Sequence, residues 1–235
     1  MEPFGKAHVF VPDLDTLVVA DADHHHLARV LRLRLGDPMT ASDGAGGWRR
    51  CRFGAPLEAD GAIERDARPA PEIAIAFALV KGERPEWVVQ KLTEVGVDRI
   101  VPFVAERSVV RWDPDKAERH LERWTIVARE AAMQSRRTFL PVVEPVAEFK
   151  NVAERAGVAR ADRGGSGPSL RRPVIVVGPE GGWSDAERAA IAPSISLGPT
   201  VLRSETAAIV AGAALCGLRS ALFESTEATE GDCPG

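Results

Sequence analysis

Cysteine is scarce in this chain. Cys51, Cys216 and Cys233 are odd in number and far apart. That excludes a disulfide framework and a CxxC metal pair, and makes a reducing, cytoplasmic compartment the default expectation. No apolar run approaches the roughly 20 residues a membrane helix needs, so no membrane partner is expected. The opening MEPFGKAHVF has no charged stretch followed by an apolar one, so it does not read as a signal peptide. Several site motifs are missing too. There is no GxxxxGK[ST] loop and no GxGxxG after the first strand, which argues against a P-loop and an ordinary dinucleotide site. Neither G-x-S-x-G nor HExxH occurs. The run His24-His25-His26 does not make a metal site, because adjacent helical positions point in different directions; no metal is expected.

What remains is a globular composition. Of 235 residues, 45% are apolar and 27% charged, enough for one large domain or two modest ones. The net charge is −4, but it is unevenly placed. The tail from Glu224 carries Glu224, Glu227, Glu230 and Asp232 with no basic residue, and is expected to be disordered. Without it the body is neutral. From His24 to Gly54 six arginines (Arg29, Arg32, Arg34, Arg49, Arg50, Arg52) face only Asp37 and Asp43. A local +4 of this kind either grips phosphates or is a solvated face.

The rhythm of the chain divides it in two. Residues 1–70 hold short apolar runs broken by Gly, Pro and Asp. HVFVP (8–12), LVVA (17–20), PMTAS (38–42) and WRRCRF (48–53) read as strands, with one helix over 24–33. This predicts a small β-barrel or β-rich module. Asp66 to Pro71 reads as a stiff linker. From residue 73 strands and helices alternate. IAIAFALV (73–80), IVPFV (100–104), PVVEP (141–145), VIVVG (174–178) and ISLG (195–198) read as strands. Helices are predicted over 85–95, from Asp113-Pro114 to about 134, over 146–155, and after the Ser184–Glu187 capping pair. Ala207, Ala211, Leu215, Leu218 and Leu222 make the apolar stripe of a closing helix. Residues 157–172, rich in Gly, Ser and Arg, read as a mobile loop. Repeated strand–helix units predict an α/β domain on a mainly parallel sheet, spanning 73–224.

Ligands in such sheets bind beyond the carboxyl ends of strands. Two segments stand there. Gly178-Pro179-Glu180-Gly181-Gly182 holds three glycines in five residues, which allows close backbone approach to a ligand. An ordinary tight turn needs only one or two. Leu197 to Ala207 places Arg203, Glu205 and Thr206 at a strand exit, where Ser204 and Thr206 could equally cap the last helix.

GPEGGW followed by ISLGPTVLRSETAA resembles the C-terminal signature of the RsmE family, 16S ribosomal RNA uridine-N3 methyltransferases of the SPOUT class. HHLARVLRLRLGD (25–37), LVKGERPEWVVQKLTEVGVDRIVPF (79–103), AERSVVRW (105–112) and AREAAMQSRR (128–137) extend the resemblance over nearly the whole chain. It implies a PUA-like β-barrel at 1–70 and a SPOUT domain at 73–224 that closes in a trefoil knot. It also implies S-adenosylmethionine as methyl donor, a homodimer through the knot domain, and 16S ribosomal RNA or the small subunit as partner. Gly178, Pro179, Glu180, Gly181, Gly182, Leu197, Gly198, Val201, Leu202 and Thr206 would bind the donor, mostly through backbone groups. Family members often carry an arginine just before the first strand, where this chain reads Lys6-Ala7-His8, so any RNA contact of that arginine would pass to Lys6 or His8 or be absent.

The chemistry then follows from residue types. N3 of uridine is a poor nucleophile until its imide proton leaves, and the charge spreads onto two flanking carbonyl oxygens. A fixed guanidinium near them lowers that barrier, which makes Arg203 the first catalytic candidate. Glu205 is the candidate base or the residue that orients Arg203, unless the two form a mere loop-stiffening ion pair. Thr206 can donate a hydrogen bond. Because N3 lies on the Watson–Crick edge, the base must be unstacked or unpaired first. Lys6, His25, Arg29, Arg32, Arg34, Arg129 and Arg136 are the candidate RNA contacts, with Arg137 beside them. A non-catalytic assembly factor and a SPOUT enzyme with another RNA target remain open as alternatives.

Overall fold

The computed structural model describes residues 5–79, 84–108, 110 and 112–223. The acidic tail lies outside them. The N-terminal part opens with β1 (His8–Phe10), then α1 (Asp21–His25), which continues as a wider helical turn over His26–Val30. β2 (Pro38–Ser42), β3 (Gly47–Arg52), β4 (Glu58–Ala59) and β5 (Glu64–Arg65) follow. They form one mixed sheet in the order β1-β2-β3-β4, with β5 also on β3; β1 and β2 run parallel and the rest antiparallel. Among the described residues no ladder closes β1 onto β4, so this module is a curled sheet around its own core. Val9, Leu14, Leu17, Leu27, Met39, Ala41, Cys51 and Phe53 fill that core. Burial raises the Cys51 thiol to about 12, so it acts as a small apolar group there.

The second part carries β6 (Ala74–Ala78), α2 (Arg84–Val95), β7 (Arg99–Val104), α3 (Pro114–Gln134), β8 (Val142–Val143), β9 (Ala147–Glu148) and α4 (Phe149–Ala153). Then come β10 (Val158–Ser166), β11 (Val174–Val177), α5 (Asp185–Ala190), β12 (Ser194–Ile195) and α6 (Ser204–Arg219). The seven strands form one sheet in the order β12-β10-β11-β6-β7-β8, with β9 also on β7, and every ladder is parallel. The continuous apolar run of β6 now has its reason. Ile75 and Phe77 face a layer of α2, α3 and α6 side chains such as Leu92, Trp124 and Leu215. Ala74, Ala76 and Ala78 face Val152, Trp183 and Ile191. A strand covered on both faces has no polar position to spare.

Helix ends follow their local chemistry. Asp113 caps α3 through Lys116 N at 2.8 Å, with Pro114 at the first position. Both bonds of the Ser184–Glu187 capping box form, and Glu187 Oε1 also accepts Glu106 N at 2.9 Å. That buried carboxylate is therefore fully served by backbone N–H groups.

The strand order sets the last helix against the middle of the sheet. The chain reaches the sheet edge at β12, then returns past β10 to pack α6 on β11 and β6. Ser204 Oγ donates to Gly178 O at 2.9 Å, tying that return to the loop after β11.

Three expectations need correction. Residues 157–172 are only partly a loop: β10 occupies 158–166 between β11 and β12, its glycines masking the strand pattern, and 167–172 remain irregular. LVVA is not a strand, because Leu17 adopts φ 54° and drops into the N-terminal core. The buried stripe of α6 runs through Ala208, Ala211, Leu215 and Cys216, and Leu222 lies beyond the helix in solvent.

Several contacts join the parts, among them the Ala45–Phe139 bridge and the bonds of two residues considered for RNA binding. Arg129 of α3 makes a two-pronged ion pair with Asp23 (2.9 and 2.6 Å) and donates to Phe10 O at 3.3 Å. His8 binds Thr40 Oγ1 through Nδ1 at 2.7 Å and Arg137 O through Nε2 at 3.1 Å. A carbonyl only accepts, so Nε2 carries the proton and Nδ1 accepts from the Thr40 hydroxyl.

Candidate active site

Two loops leave neighbouring parts of the sheet at the carboxyl ends of their strands. The first, residues 178–183, follows β11. A side chain at Gly178 would bring its Cβ within 2.9 Å of Trp183 Cε2, so the turn requires glycine. Gly182 N closes the loop on Pro179 O at 2.9 Å, and Trp183 Nε1 donates to Ala161 O of β10 at 3.0 Å. The second loop, residues 196–203, follows β12, with Ser196 N held by Ser166 O at 2.8 Å.

Between them lies a cavity of about 460 Å³, within the range of small-molecule sites. Of the donor-binding candidates, Gly178, Pro179, Glu180, Gly182, Leu197, Gly198, Val201 and Leu202 line it; Gly181 and Thr206 do not. Arg203 lines it and is the N-cap residue of α6, without a side-chain capping bond. Neither Ser204 nor Thr206 caps that helix. The Arg203 guanidinium is exposed and forms no ion pair with any of the described residues. The suggested Arg203–Glu205 pair is therefore absent from the structure.

Glu205 is 9% exposed and does not line the cavity. Its Oε1 lies 3.7 Å from Arg84 Nη1, and Oε2 is buried with no hydrogen-bond partner. Arg84 also reaches Glu180 at 3.4 Å, so it clips the first loop to the start of α6. Glu205 thus faces the α2 terminus and makes no ion pair with the Arg203 guanidinium.

Sequence reasoning missed four lining residues with chemistry: Asp162, Arg163, Trp183 and Arg188. Trp183 was visible next to the glycine loop. Asp162 and Arg163 were hidden inside the supposed mobile loop.

The RNA-contact candidates separate into groups. His25, Arg29, Arg32 and Arg34 are exposed on and after the first helix, as a binding face requires. Lys6 pairs with Asp37 at 2.7 Å. The Asp37 carboxyl is held below the usual carboxylate range, first by the Arg34 backbone N–H and then by Lys6. Arg136, at φ 58°, lines a groove of about 940 Å³ between the two parts, together with Lys6 and Trp87. Arg129 is corrected: its guanidinium is committed to Asp23 and Phe10 O as a strut. Arg137 is likewise committed, donating to Thr93 O and Val97 O at 2.9 and 2.8 Å. His8 is 5% exposed and cannot take over an RNA contact; burial lowers its pKa to about 4. No three His, Cys, Asp or Glu side chains converge among the described residues, and none of their helices is long and apolar enough to cross a membrane.

Comparison with known proteins decides the class. A model described as RNA methyltransferase domain matches residues 68–216, and one described as RNA methyltransferase PUA domain matches residues 19–56. Over 255 residues the chain is 33% identical to the ribosomal RNA small subunit methyltransferase E of Mycobacterium bovis, covering 95% of this chain and 93% of that one. The chain belongs to the ribosomal RNA small subunit methyltransferase E family. The Bacillus subtilis member is 31% identical, with 94% and 95% covered. A solved family member from Neisseria gonorrhoeae, described as bound to S-adenosyl methionine, superposes with TM-score 0.72 at 28% identity, covering 90% of this chain and 97% of that one. A Legionella pneumophila methyltransferase described in complex with the same cofactor gives TM-score 0.75 at 26% identity, with 88% and 96% covered. The family is one of enzymes, and the PUA-plus-SPOUT architecture is shared along nearly the full length of these chains.

Proposed function

We propose that the protein transfers a methyl group from S-adenosylmethionine to N3 of one uridine in 16S ribosomal RNA, in the cytoplasm where small subunits assemble. The observation that carries this reading is an unpaired guanidinium, Arg203, at the wall of a cavity made by two strand-exit loops. The cavity suits the donor: its size is right, and its walls offer backbone groups of Gly178, Gly182, Leu197 and Gly198 to a polar nucleoside and Leu197, Val201 and Leu202 to an apolar ring face. When bound, the donor supplies an already activated methyl group. The protein's work is then alignment and charge stabilisation. The two loops fix the donor, and Arg203 offers its fork of N–H donors to the carbonyl oxygens flanking N3 as the imide proton passes to solvent water. Glu205 and Arg84 hold the start of α6, and therefore Arg203, in register with the first loop.

The N-terminal module, residues 1–70, supplies RNA affinity through His25, Arg29, Arg32 and Arg34, with Lys6 and Arg136 at the groove beside them. The catalytic domain is residues 73–224. A homodimer forms through it: the outer face of α6 leaves Ile209, Val210, Ala213 and Ala214 only partly covered within one chain, and Leu222 and Phe223 continue this apolar surface. Nucleoside analysis of 16S ribosomal RNA from cells with and without the protein tests the reading. Loss of N3-methyluridine supports it. Its persistence, or loss of a different methylated nucleoside, overturns it, and failure to bind S-adenosylmethionine in calorimetry points to the assembly-factor alternative.

A further inference from the structure

β10 is where the mouth of the cavity carries charge that none of the described residues answers. β10 pairs with β12 twice at the same residue: Ala161 and Ser166 both register on Ile195. The four residues between them, Asp162 to Gly165, are thrown out of the ladder as a bulge. Bulges beside active sites redirect side chains, and this one turns Asp162 and Arg163 into the cavity wall. At Gly165 an added Cβ would fall 2.5 Å from the Ser194 carbonyl, so the chain must be bare there for the bulge to close on β12.

The bulge is mounted rigidly. Asp162 Oδ1 accepts the backbone N–H of Arg163 at 2.9 Å. Its Oδ2 accepts from Arg160 Nε at 3.2 Å and from Arg188 Nη1. Arg160 Nη1 in turn donates to Ala192 O at 2.8 Å and to Ile191 O. One carboxylate is therefore shared by two guanidiniums and a peptide N–H, Arg188 standing on α5 and Arg160 being anchored to the segment after it. The Arg163 guanidinium itself is exposed and makes no ion pair among the described residues. Glu180, the other carboxylate of the mouth, is taken by Arg84. The ionisable groups left unpaired around the cavity are thus both cations, Arg163 and Arg203.

Such a surplus is not arranged for the methyl donor alone. With a sulfonium, an ammonium and one carboxylate, S-adenosylmethionine carries a net positive charge and is repelled by further fixed cations. An RNA strand carries a phosphate at every nucleotide and is attracted. We infer that the β10 bulge is a phosphate grip, in which Arg163 contacts the RNA backbone next to the target nucleotide while Asp162, Arg160 and Arg188 hold it in place. This rests on the proposed reading of the cavity as the methyl-transfer site.

The test uses full-length protein carrying Arg163→Ala or Arg163→Lys. RNA affinity for transcribed 16S ribosomal RNA is measured across a range of KCl concentrations, and donor affinity by calorimetry with S-adenosylmethionine. Arg163→Ala is expected to weaken RNA binding several-fold and to make the log K against log salt slope shallower by about 0.7 to 0.9, the loss of one phosphate contact. Donor affinity should be unchanged or tighter, and Arg163→Lys should restore the slope. A wild-type slope in Arg163→Ala overturns the inference. So does weaker donor binding with RNA binding intact, which would assign Arg163 to the donor's carboxylate. Methyl transfer to N3 by the wild type is scored separately, so failure of the functional reading and failure of the phosphate grip are distinct results.

Discussion

Lowering the pH from 7 to 5 should loosen this protein through one residue, His8. The ring is buried between β1 and the turn after α3, with Nε2–H donating to Arg137 O and Nδ1 accepting from Thr40. A second proton on Nδ1 would reverse the Thr40 bond, the hydroxyl turning to accept, and would leave a charge in a buried site. Burial, helped by the charge of nearby Arg136, lowers the pKa from 6.5 to about 4. The unfolded chain binds a proton below pH 6.5, whereas the folded one refuses it until about pH 4. Stability from this group is therefore fully present above 6.5, is lost as the pH falls, and levels off below 4. The full difference is about 3 kcal/mol, and about 2 kcal/mol of it is spent between pH 7 and pH 5. The assay is urea unfolding of the wild type and of His8→Gln, which keeps an N–H toward the Arg137 carbonyl and does not titrate. The variant should lose about 2 kcal/mol less than the wild type over that interval. The proton resonances of His8, followed by NMR, should show no titration above pH 5. A midpoint near 6.5, or parallel pH profiles for the two proteins, would refute the reasoning.

Three other outcomes follow from the geometry. Asp98 sits between two buried guanidiniums, Arg219 (to Oδ2) and Arg137 (3.7 Å to Oδ1), and also accepts Ile73 N at 2.9 Å. Asp98→Ala strands both cations and should cost about 3–5 kcal/mol in denaturant unfolding. Arg203→Ala should lower kcat by about 100-fold or more, the scale of losing one transition-state donor, while leaving the donor Kd within a factor of a few; single-turnover kinetics and calorimetry check the two halves. Arg32→Glu with Arg34→Glu should weaken RNA binding and flatten its salt dependence by roughly two phosphate contacts. An unchanged slope in a filter-binding series would clear the N-terminal arginines of that role.

Much of this protein was legible along the chain because the deciding interactions are local. The alternating apolar strands and capped helices from residue 73 onward identify an α/β domain. Asp113-Pro114 and Ser184–Glu187 close the hydrogen bonds their spacing foretold. Gly178 is bare because Trp183, five residues on, fills the space above it. The family resemblance, carried by GPEGGW and ISLGPTVLRSETAA, went further and pointed to a knot that periodicity alone does not encode.

What the chain could not announce was anything that depends on distant partners. Arg129 and Arg137 look like the exposed Arg32 and Arg34 in sequence, yet Asp23, 106 residues away, and the Thr93 and Val97 carbonyls consume them. Glu205 is two residues from Arg203 but faces Arg84. The segment 157–172 has the composition of a loop, yet 158–166 becomes an interior strand, because β11 and β12 offer it hydrogen bonds on both sides. Local composition sets which conformations a segment tolerates and which faces are apolar. Which charge meets which, and whether an arginine is left free to bind RNA, is set only when elements far apart in sequence are packed together, since the fields that pair or strand a guanidinium act across space and not along the chain.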